Sequence, residues 1–378
     1  MKISILSTVA NDTLIFRREL ISKLVAAGHV VFVFCVDYTD QTRDQIQSLG
    51  AMPIDYGLSR AGLNPLADLL TIFQLWKLLN EVRSDVVLSC FVKPSIYGSI
   101  AARLACVPRR LAMLEGLGFV FTDTPSGPSA KQRLLRKIQV FLYRLALPSI
   151  DTIIFLNPDD PVDLLEKNNL KAKHVEVLGG IGVDLKQFAY SEPPVEPVRF
   201  IFIARLLAEK GVFEYLEAVK RVKRLHPAAE FVVLGGIDEA NPGGLKQADL
   251  QNLLDTELII YPGYVNNVPD WIAGSSVFVL PSYREGVPRS TQEALAIGRA
   301  VITTDVPGCR ETVIEGVNGF LVPKWDADAL ADKMIYFIEN PAAIKKMGHE
   351  SHRLAVERFD AEKVNARLMK IMGLSELR

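Results

Sequence analysis

Apolar runs of four to seven residues alternate along the chain with amphipathic stretches long enough for three or more helical turns. In the first half the runs are Ile3–Ser7, Val30–Val36, Val86–Cys90, Leu111–Leu114, Thr152–Leu156 and His174–Leu178. Several are continuous rather than alternating, as in strands buried on both faces of a parallel sheet. Between them a helical period runs through Thr13–Ala27, Pro65–Val82, Ile96–Cys106 and Ala130–Leu147. Strand, helix, strand in this order predicts right-handed βαβ crossovers. Three prolines within Ser191–Pro197 then interrupt the rhythm and predict a linker. Beyond it, strands are predicted at Arg199–Ala204, Glu230–Leu234, Leu258–Tyr261, Val277–Leu280 and Ala300–Thr303. Helices are predicted at Gly211–Leu225, Leu245–Leu254, Val268–Ala273, Thr291–Ala296, Arg310–Glu315 and Ala327–Glu339. The expected organisation is two doubly wound α/β domains in tandem, residues 1–190 and 191–358. A helical tail over 359–378 follows, expected to pack back on the first domain. Doubly wound domains bind ligands at the carboxyl ends of their strands, so a central cleft between two of them is the expected site.

Composition narrows the class. Half of the 378 residues are hydrophobic (49%) and 23% are charged, which excludes a disordered or fibrous chain. A net charge of −1 gives no global signal for nucleic acid. The balance is uneven, however. Residues 1–190 carry 21 Lys+Arg against 18 Asp+Glu, and Arg103–Ser149 carry 8 against 2. No apolar run approaches the ~20 residues of a membrane span. The start, Met1–Thr8, turns polar too soon for a signal peptide. A cytoplasmic protein is therefore expected. Cys35, Cys90, Cys106 and Cys309 form no C-x-x-C pair and read as buried thiols of a reducing compartment.

Two stretches carry candidate chemistry. In Leu280-Pro281-Ser282-Tyr283-Arg284-Glu285-Gly286-Val287-Pro288-Arg289-Ser290-Thr291-Gln292-Glu293, a strand leads through a Gly/Pro loop into a helix. Helix N-termini favour phosphate. Glu285 and Glu293, with seven residues between them, suit two sugar rings on either side of a diphosphate; the plain alternative is a cap and a surface ion pair. In Phe200–Gly211 a second strand leads to Arg205 and Lys210. Two cations there can neutralise a diphosphate leaving group without a metal. Asp326-Ala327-Asp328 formally spells a metal-binding Asp-x-Asp, but it precedes an amphipathic helix and reads as a cap. His349 and His352 read as solvated, and His29 as structural.

Together these stretches resemble the retaining glycosyltransferases of family 4, which have the GT-B fold of two Rossmann-like domains facing a cleft. The glycine loops Gly180–Asp184, Gly235-Gly236 and Val306–Glu311, together with Asn318–Pro323, extend the resemblance over nearly the whole chain. It implies that Arg205 and Lys210 bind the donor's phosphates and that Glu293 holds the ribose. It also implies that Glu285 and the backbone N–H groups of Gly286, Val287 and Arg289 hold the donor sugar. Ser290 and Thr291 would meet the β-phosphate, and the base would lie near Tyr264. The segments Thr8–Asn11, Phe16-Arg17, Lys93–Gly98 and Gly116–Phe121 are similar to bacterial enzymes that extend undecaprenyl-diphosphate-linked sugars. That similarity implies an acceptor side at Asn11, Lys93 and Glu115, with Lys93 a candidate for the acceptor's diphosphate. Glu115 stands where many family members carry a histidine.

The resemblance implies a UDP-sugar donor carrying HexNAc or hexose, a polyprenyl-diphosphate-linked acceptor and no metal or other cofactor. A non-hydrolysing UDP-sugar 2-epimerase of the same fold is a rival, as is a non-catalytic nucleotide-sugar-binding subunit. On a helical wheel of Ala130–Leu147, Leu134, Leu135, Ile138, Phe141, Leu142 and Leu145 share one face. Arg133, Arg136, Lys137 and Arg144 fall opposite. Such a helix either attracts an anionic membrane surface or packs with a solvated cationic face; the pattern leaves both open.

Overall fold

The structure, a computed structural model, describes residues 1–59, 64–237 and 243–374. The predicted tail therefore lies outside the described residues at its last four positions. The first half runs β1 (Lys2–Leu6), α1 (Ala10–Ala26), β2 (Val30–Cys35), α2 (Asp40–Ser48), β3 (Met52–Asp55), α3 (Pro65–Val82), β4 (Val86–Cys90), α4 (Ser99–Leu104), β5 (Arg109–Leu114), α5 (Ala130–Ala146), β6 (Thr152–Phe155), α6 (Asp159–Leu164) and β7 (His174–Val177). The second half runs β8 (Arg199–Ile203), α7 (Val212–Leu225), β9 (Glu230–Leu234), α8 (Gln247–Asp255), β10 (Ile260–Gly263), α9 (Val268–Ala273), β11 (Val277–Leu280), α10 (Arg289–Ile297), β12 (Ala300–Thr304), β13 (Gly319–Val322), α11 (Ala327–Glu339), α12 (Pro341–Arg358) and α13 (Ala361–Ile371).

Two compact units result. One comprises Met1–Phe121, Ser129–Ile181 and Glu362–Arg378; the other comprises Thr122–Pro128 and Gly182–Ala361. Among the described residues the first holds a seven-stranded sheet in the order β3-β2-β1-β4-β5-β6-β7. The second holds six strands in the order β10-β9-β8-β11-β12-β13. All paired strands are parallel, with β1 flanked by β2 and β4 and β8 flanked by β9 and β11. Each unit is thus a Rossmann-like doubly wound fold. Its topological switch point lies between β1 and β4 in the first unit and between β8 and β11 in the second.

The central strands are buried along their length, as continuous runs such as Val31–Cys35 and Phe200–Phe202 require. Helix starts follow local chemistry. Asn64 caps α3 ahead of Pro65, Ser129 caps α5, and Asp326 accepts from the Ala329 N–H at 2.8 Å, which makes the Asp-x-Asp a helix cap.

Two expectations are corrected, and a reading left open for α5 is narrowed. Arg310–Glu315 is only a single 3-10 turn over Arg310–Thr312, because the Asn318 side chain accepts from the Ile314 N–H at 2.7 Å and donates to the Thr312 carbonyl at 3.1 Å, taking groups that a longer helix would pair. Cys106 is exposed, while the other three thiols are buried; it occupies a left-handed position at φ 53°, just past the end of α4. On α5 the apolar stripe lies mostly to the side of the inward face, with only its Leu142 edge packed against the core. Leu134, Phe141 and Leu145 are exposed, and the inward side carries Gln132, Tyr143 and Ala146. Part of the reason is polar. Gln132 donates to the Phe119 carbonyl at 3.0 Å and Gln139 to the Leu117 carbonyl at 3.1 Å, so the helix turns its amides toward the loop that precedes it.

Candidate active site

In the second unit the loops after β8 and β11 meet at the switch point. Lys210 Nζ lies 2.5 Å from Glu285 Oε1, and Ser282 Oγ donates to the same oxygen at 2.8 Å. The two loops are tied by the Tyr283 N–H, which donates to the Glu209 carbonyl at 2.9 Å. They approach closely at Gly211 (φ +74°), where a Cβ would stand 2.1 Å from the Pro281 carbonyl oxygen. Glu285 is held from behind as well. Its N–H donates to the Pro307 carbonyl at 3.0 Å, and Gly308 (φ +80°) lies where a Cβ would meet the Glu285 and Gly286 carbonyls. Burial pushes the Cys309 thiol up to about 12, and the Glu285 charge adds to this, so the cysteine beneath the loop is inert packing.

Glu293 sits on α10 and is almost buried. Arg289 Nε donates to its Oε1 at 2.8 Å, one helical turn away. Ser290 is partly accessible at the start of this helix, whereas the Thr291 side chain is fully buried and its Oγ1 has no hydrogen-bond partner. Gln292 is a residue the motif reading missed. It donates to the Val287 carbonyl at 3.1 Å and accepts the Gly182 N–H at 3.0 Å, fixing the glycine loop to the β11 loop. Gln292 and Tyr283 lie in the motif, yet part of their role depends on partners outside it, Gly182 for Gln292 and Glu214 for the Tyr283 hydroxyl (2.7 Å). Arg205 is exposed at the end of β8. Tyr264, 68% exposed, follows β10 at the sheet edge, with β9 and β8 between it and β11.

The expected acceptor-side residues follow β1, β4 and β5, which are adjacent in the sheet of the first unit. Asn11 is exposed on the first turn of α1. Glu115 follows β5 and forms an ion pair with Arg17 of α1, the two side chains 7% and 4% exposed. Burial opposes the Arg17 charge, but Glu115 and Cys90 outweigh it and raise the guanidinium above its ordinary value. Burial in turn pushes the Cys90 thiol up to about 11. Phe91, at the end of β4, holds a left-handed conformation (φ 69°) unusual for a phenylalanine. Two residues on, Lys93 Nζ donates to the Ser59 carbonyl at 2.6 Å and lies 3.6 Å from the buried Asp68 carboxylate. The pairings Arg17–Glu115 and Lys93–Asp68 are invisible to motif spacing.

Outside these sites, His352 Nδ1 lies 2.6 Å from the Ala296 carbonyl and its ring packs on Tyr190, so it is structural rather than solvated.

Comparison with known proteins fits this geometry. Residues 184–354 match the family described as Glycosyl transferases group 1, and residues 2–157 match Glycosyl transferase 4-like. The chain is 30% identical, over 98% of its own length and 98% of the relative's, to the Campylobacter jejuni N,N'-diacetylbacillosaminyl-diphospho-undecaprenol alpha-1,3-N-acetylgalactosaminyltransferase. It is 27% identical to the Escherichia coli UDP-Gal:alpha-D-GlcNAc-diphosphoundecaprenol alpha-1,3-galactosyltransferase, over 71% of this chain and 70% of that one. In fold it is similar to sucrose-phosphate synthase from Thermosynechococcus elongatus (TM-score 0.79, 19% identity, 98% of each chain covered). It is also similar to Anabaena HepE, solved with UDP and glucose (TM-score 0.77, 17% identity, 99% of each chain covered). The motifs, the two doubly wound units and the full-length similarity converge: this chain is a GT-B glycosyltransferase and belongs to the group 1 and 4-like glycosyltransferases.

Proposed function

We propose that the protein moves a HexNAc or hexose residue, with retention of configuration, from a UDP-sugar to a polyprenyl-diphosphate-linked saccharide during assembly of a bacterial surface glycan. The observation that carries the reading is the Lys210–Glu285–Ser282 cluster with the Arg289–Glu293 pair on the following helix. Cations and carboxylates are grouped there as a sugar nucleotide requires. The relatives named above support the acceptor class, since both names specify a diphosphoundecaprenol-linked acceptor, and both specify an alpha-1,3 linkage.

In this reading Arg205 and Lys210 take the diphosphate, Glu293 the ribose and Tyr264 the base. Glu285 and the backbone at Gly286, Val287 and Arg289 take the sugar, and Ser290 and the helix start, including the Thr291 N–H, meet the β-phosphate. The bond from the anomeric carbon to the diphosphate oxygen breaks as the acceptor hydroxyl attacks from the same face. The hydroxyl proton passes to the departing phosphate oxygen. The chain's work is charge stabilisation and positioning, with no metal. Asn11, Lys93 and Glu115 serve the acceptor side. The protein acts at the inner membrane face, held reversibly by the cations of α5, each worth ~1 kcal/mol near an anionic surface.

The test is incubation of the pure protein with a panel of UDP-sugars and an undecaprenyl-diphosphate-linked saccharide. A product heavier by one sugar, α-linked by its anomeric coupling and formed equally in EDTA, is expected. A β-linked product overturns retention. Loss of activity in chelator, restored by Mg²⁺ or Mn²⁺, overturns the metal-free reading. Exchange at C2 of the UDP-sugar without transfer would point to an epimerase.

A further inference from the structure

Trp325 stands between β13 and α11, immediately before the aspartate that caps α11, and its placement lowers stability in two ways. Its backbone is left-handed (φ 66°), a conformation that glycine or asparagine adopts with less strain. Its indole N–H is buried and has no hydrogen-bond partner among the described residues. The helix cap that follows needs neither feature. Residues held in such conformations persist where their surroundings over-determine them, and they collect at functional sites.

The surroundings of Trp325 lead to the β8 and β11 loops. Lys324 Nζ lies 4.4 Å from the centroid of the indole and donates to Asp123 Oδ2 at 2.7 Å. Asp123 belongs to Thr122–Pro128, a short piece of the chain before Gly182 that is part of the second unit. The Trp325 ring also meets the Tyr283 ring edge to face, with 5.8 Å between centroids and 82° between planes. Tyr283 is buried and joins both loops. Its N–H donates to the carbonyl of Glu209, the neighbour of Lys210, at 2.9 Å. Its hydroxyl donates to Glu214 on the first turn of α7 at 2.7 Å. Burial, and then the Glu214 carboxylate, push the tyrosine pKa up, so the hydroxyl stays a donor. In sequence Tyr283 adjoins Ser282, which itself donates to Glu285.

We propose that Trp325 is a positioning residue: set against Tyr283, the indole holds the β11 loop on the β8 loop and so places Lys210 and Glu285 for a nucleoside diphosphate. This rests on the donor reading above. The indole acts through Tyr283, and the edge-to-face contact gives direction as well as buried area, since aromatic pairs prefer that geometry. The left-handed backbone aims the ring, and the Lys324–Asp123 pair keeps a cation against it.

Calorimetric titration of UDP and of uridine into the full chain tests this. Trp325→Gly relieves the left-handed strain and removes the ring. It should weaken UDP binding about tenfold and leave uridine affinity unchanged, because uridine has no diphosphate to place. Trp325→Phe keeps an edge-on ring without the buried N–H and should bind UDP within about twofold of the wild type. In a Lys210→Ala background, Trp325→Gly should cost little further UDP affinity, since the ammonium it positions is gone. Equal losses for UDP and uridine, or losses that add to those of Lys210→Ala, would show a general structural role and overturn the proposal. Full UDP affinity in Trp325→Gly would overturn it too, while a weakened Lys210→Ala kept the donor reading standing. If Lys210→Ala itself binds UDP as the wild type does, the donor reading falls and the proposal with it. Should Trp325→Gly fail to fold, Trp325→Leu takes its place in the same cycle under the same criteria.

Discussion

Lys210 and Glu285 neutralise one another across 2.5 Å, so on the proposed reading an incoming diphosphate must compete with a carboxylate for the same ammonium. Lys210→Ala should lower kcat about 10²-fold, the scale for losing one electrostatic stabiliser. Because the variant leaves Glu285 without its counter-charge, Glu285→Gln should do less further harm in that background than in the wild type. Steady-state kinetics of the four proteins check this, and additive losses would show that the pair does not act as a unit. Glu293→Gln should chiefly raise the donor KM, and a 2′-deoxy donor should lose little more in that variant. Two independent losses in a calorimetric titration would remove Glu293 from the ribose. At this scale the sequence is legible where residues fall in one loop. Glu285, Glu293, Arg205 and Lys210 stand out because strand, loop and helix succeed one another in each stretch. Arg17 and Glu115 are 98 positions apart, and only the fold brings them together.

The β8 and β11 loops depend on each other through one glycine. Gly211 is left-handed and has the Pro281 carbonyl where a side chain would begin. Gly211→Ala should cost about 2–4 kcal/mol, from the positive φ and the forced separation of the loops. It should also weaken UDP binding, as thermal melting and calorimetry can show. An unchanged melting temperature would mean that the loops can part freely. Elements built on other physics escape a periodicity reading. The helix α2 is polar nearly all round and buries only Ile46; a reciprocal cap between Thr39 and Thr42 starts it. The strand β3 is a four-residue edge containing Pro53 and Asp55, and β13 is an edge strand opening on Gly319. The amphipathic pattern of α5 was legible, but which of its sides faces inward was not, since that side mixes Gln132 and Gln139 with the buried Tyr143 and Ala146.

The two-unit α/β architecture was legible because most central parallel strands leave largely apolar runs, repeated on both sides of Ser191–Pro197. Part of the response to acid is set elsewhere, by groups that periodicity does not register. Asp151, before β6, accepts from Lys173 (2.8 Å) and from the Arg110 side chain (2.7 Å) and N–H (3.0 Å). Partial burial would raise its pKa, but these donors outweigh it and hold the carboxyl below its usual 3.8. A depressed folded pKa stabilises above the unfolded value and loses that contribution as pH falls through the folded one. Asp151→Asn should therefore melt lower at neutral pH, by about 1 kcal/mol in stability, and converge with the wild type once acid protonates Asp151. A gap that persists unchanged in strong acid would assign the effect to packing. The last helix, α13, has a consequence for synthesis. It belongs to the first unit: Arg367 donates to the Val177 carbonyl at 2.8 Å, Arg109 donates to the Ile371 carbonyl at 2.7 Å, and Leu368, Met369 and Met372 are buried. On the ribosome, the unit translated first is thus the last to be finished. Its sheet must wait, with the α13 docking surface uncovered, while some 180 residues of the other unit emerge and fold.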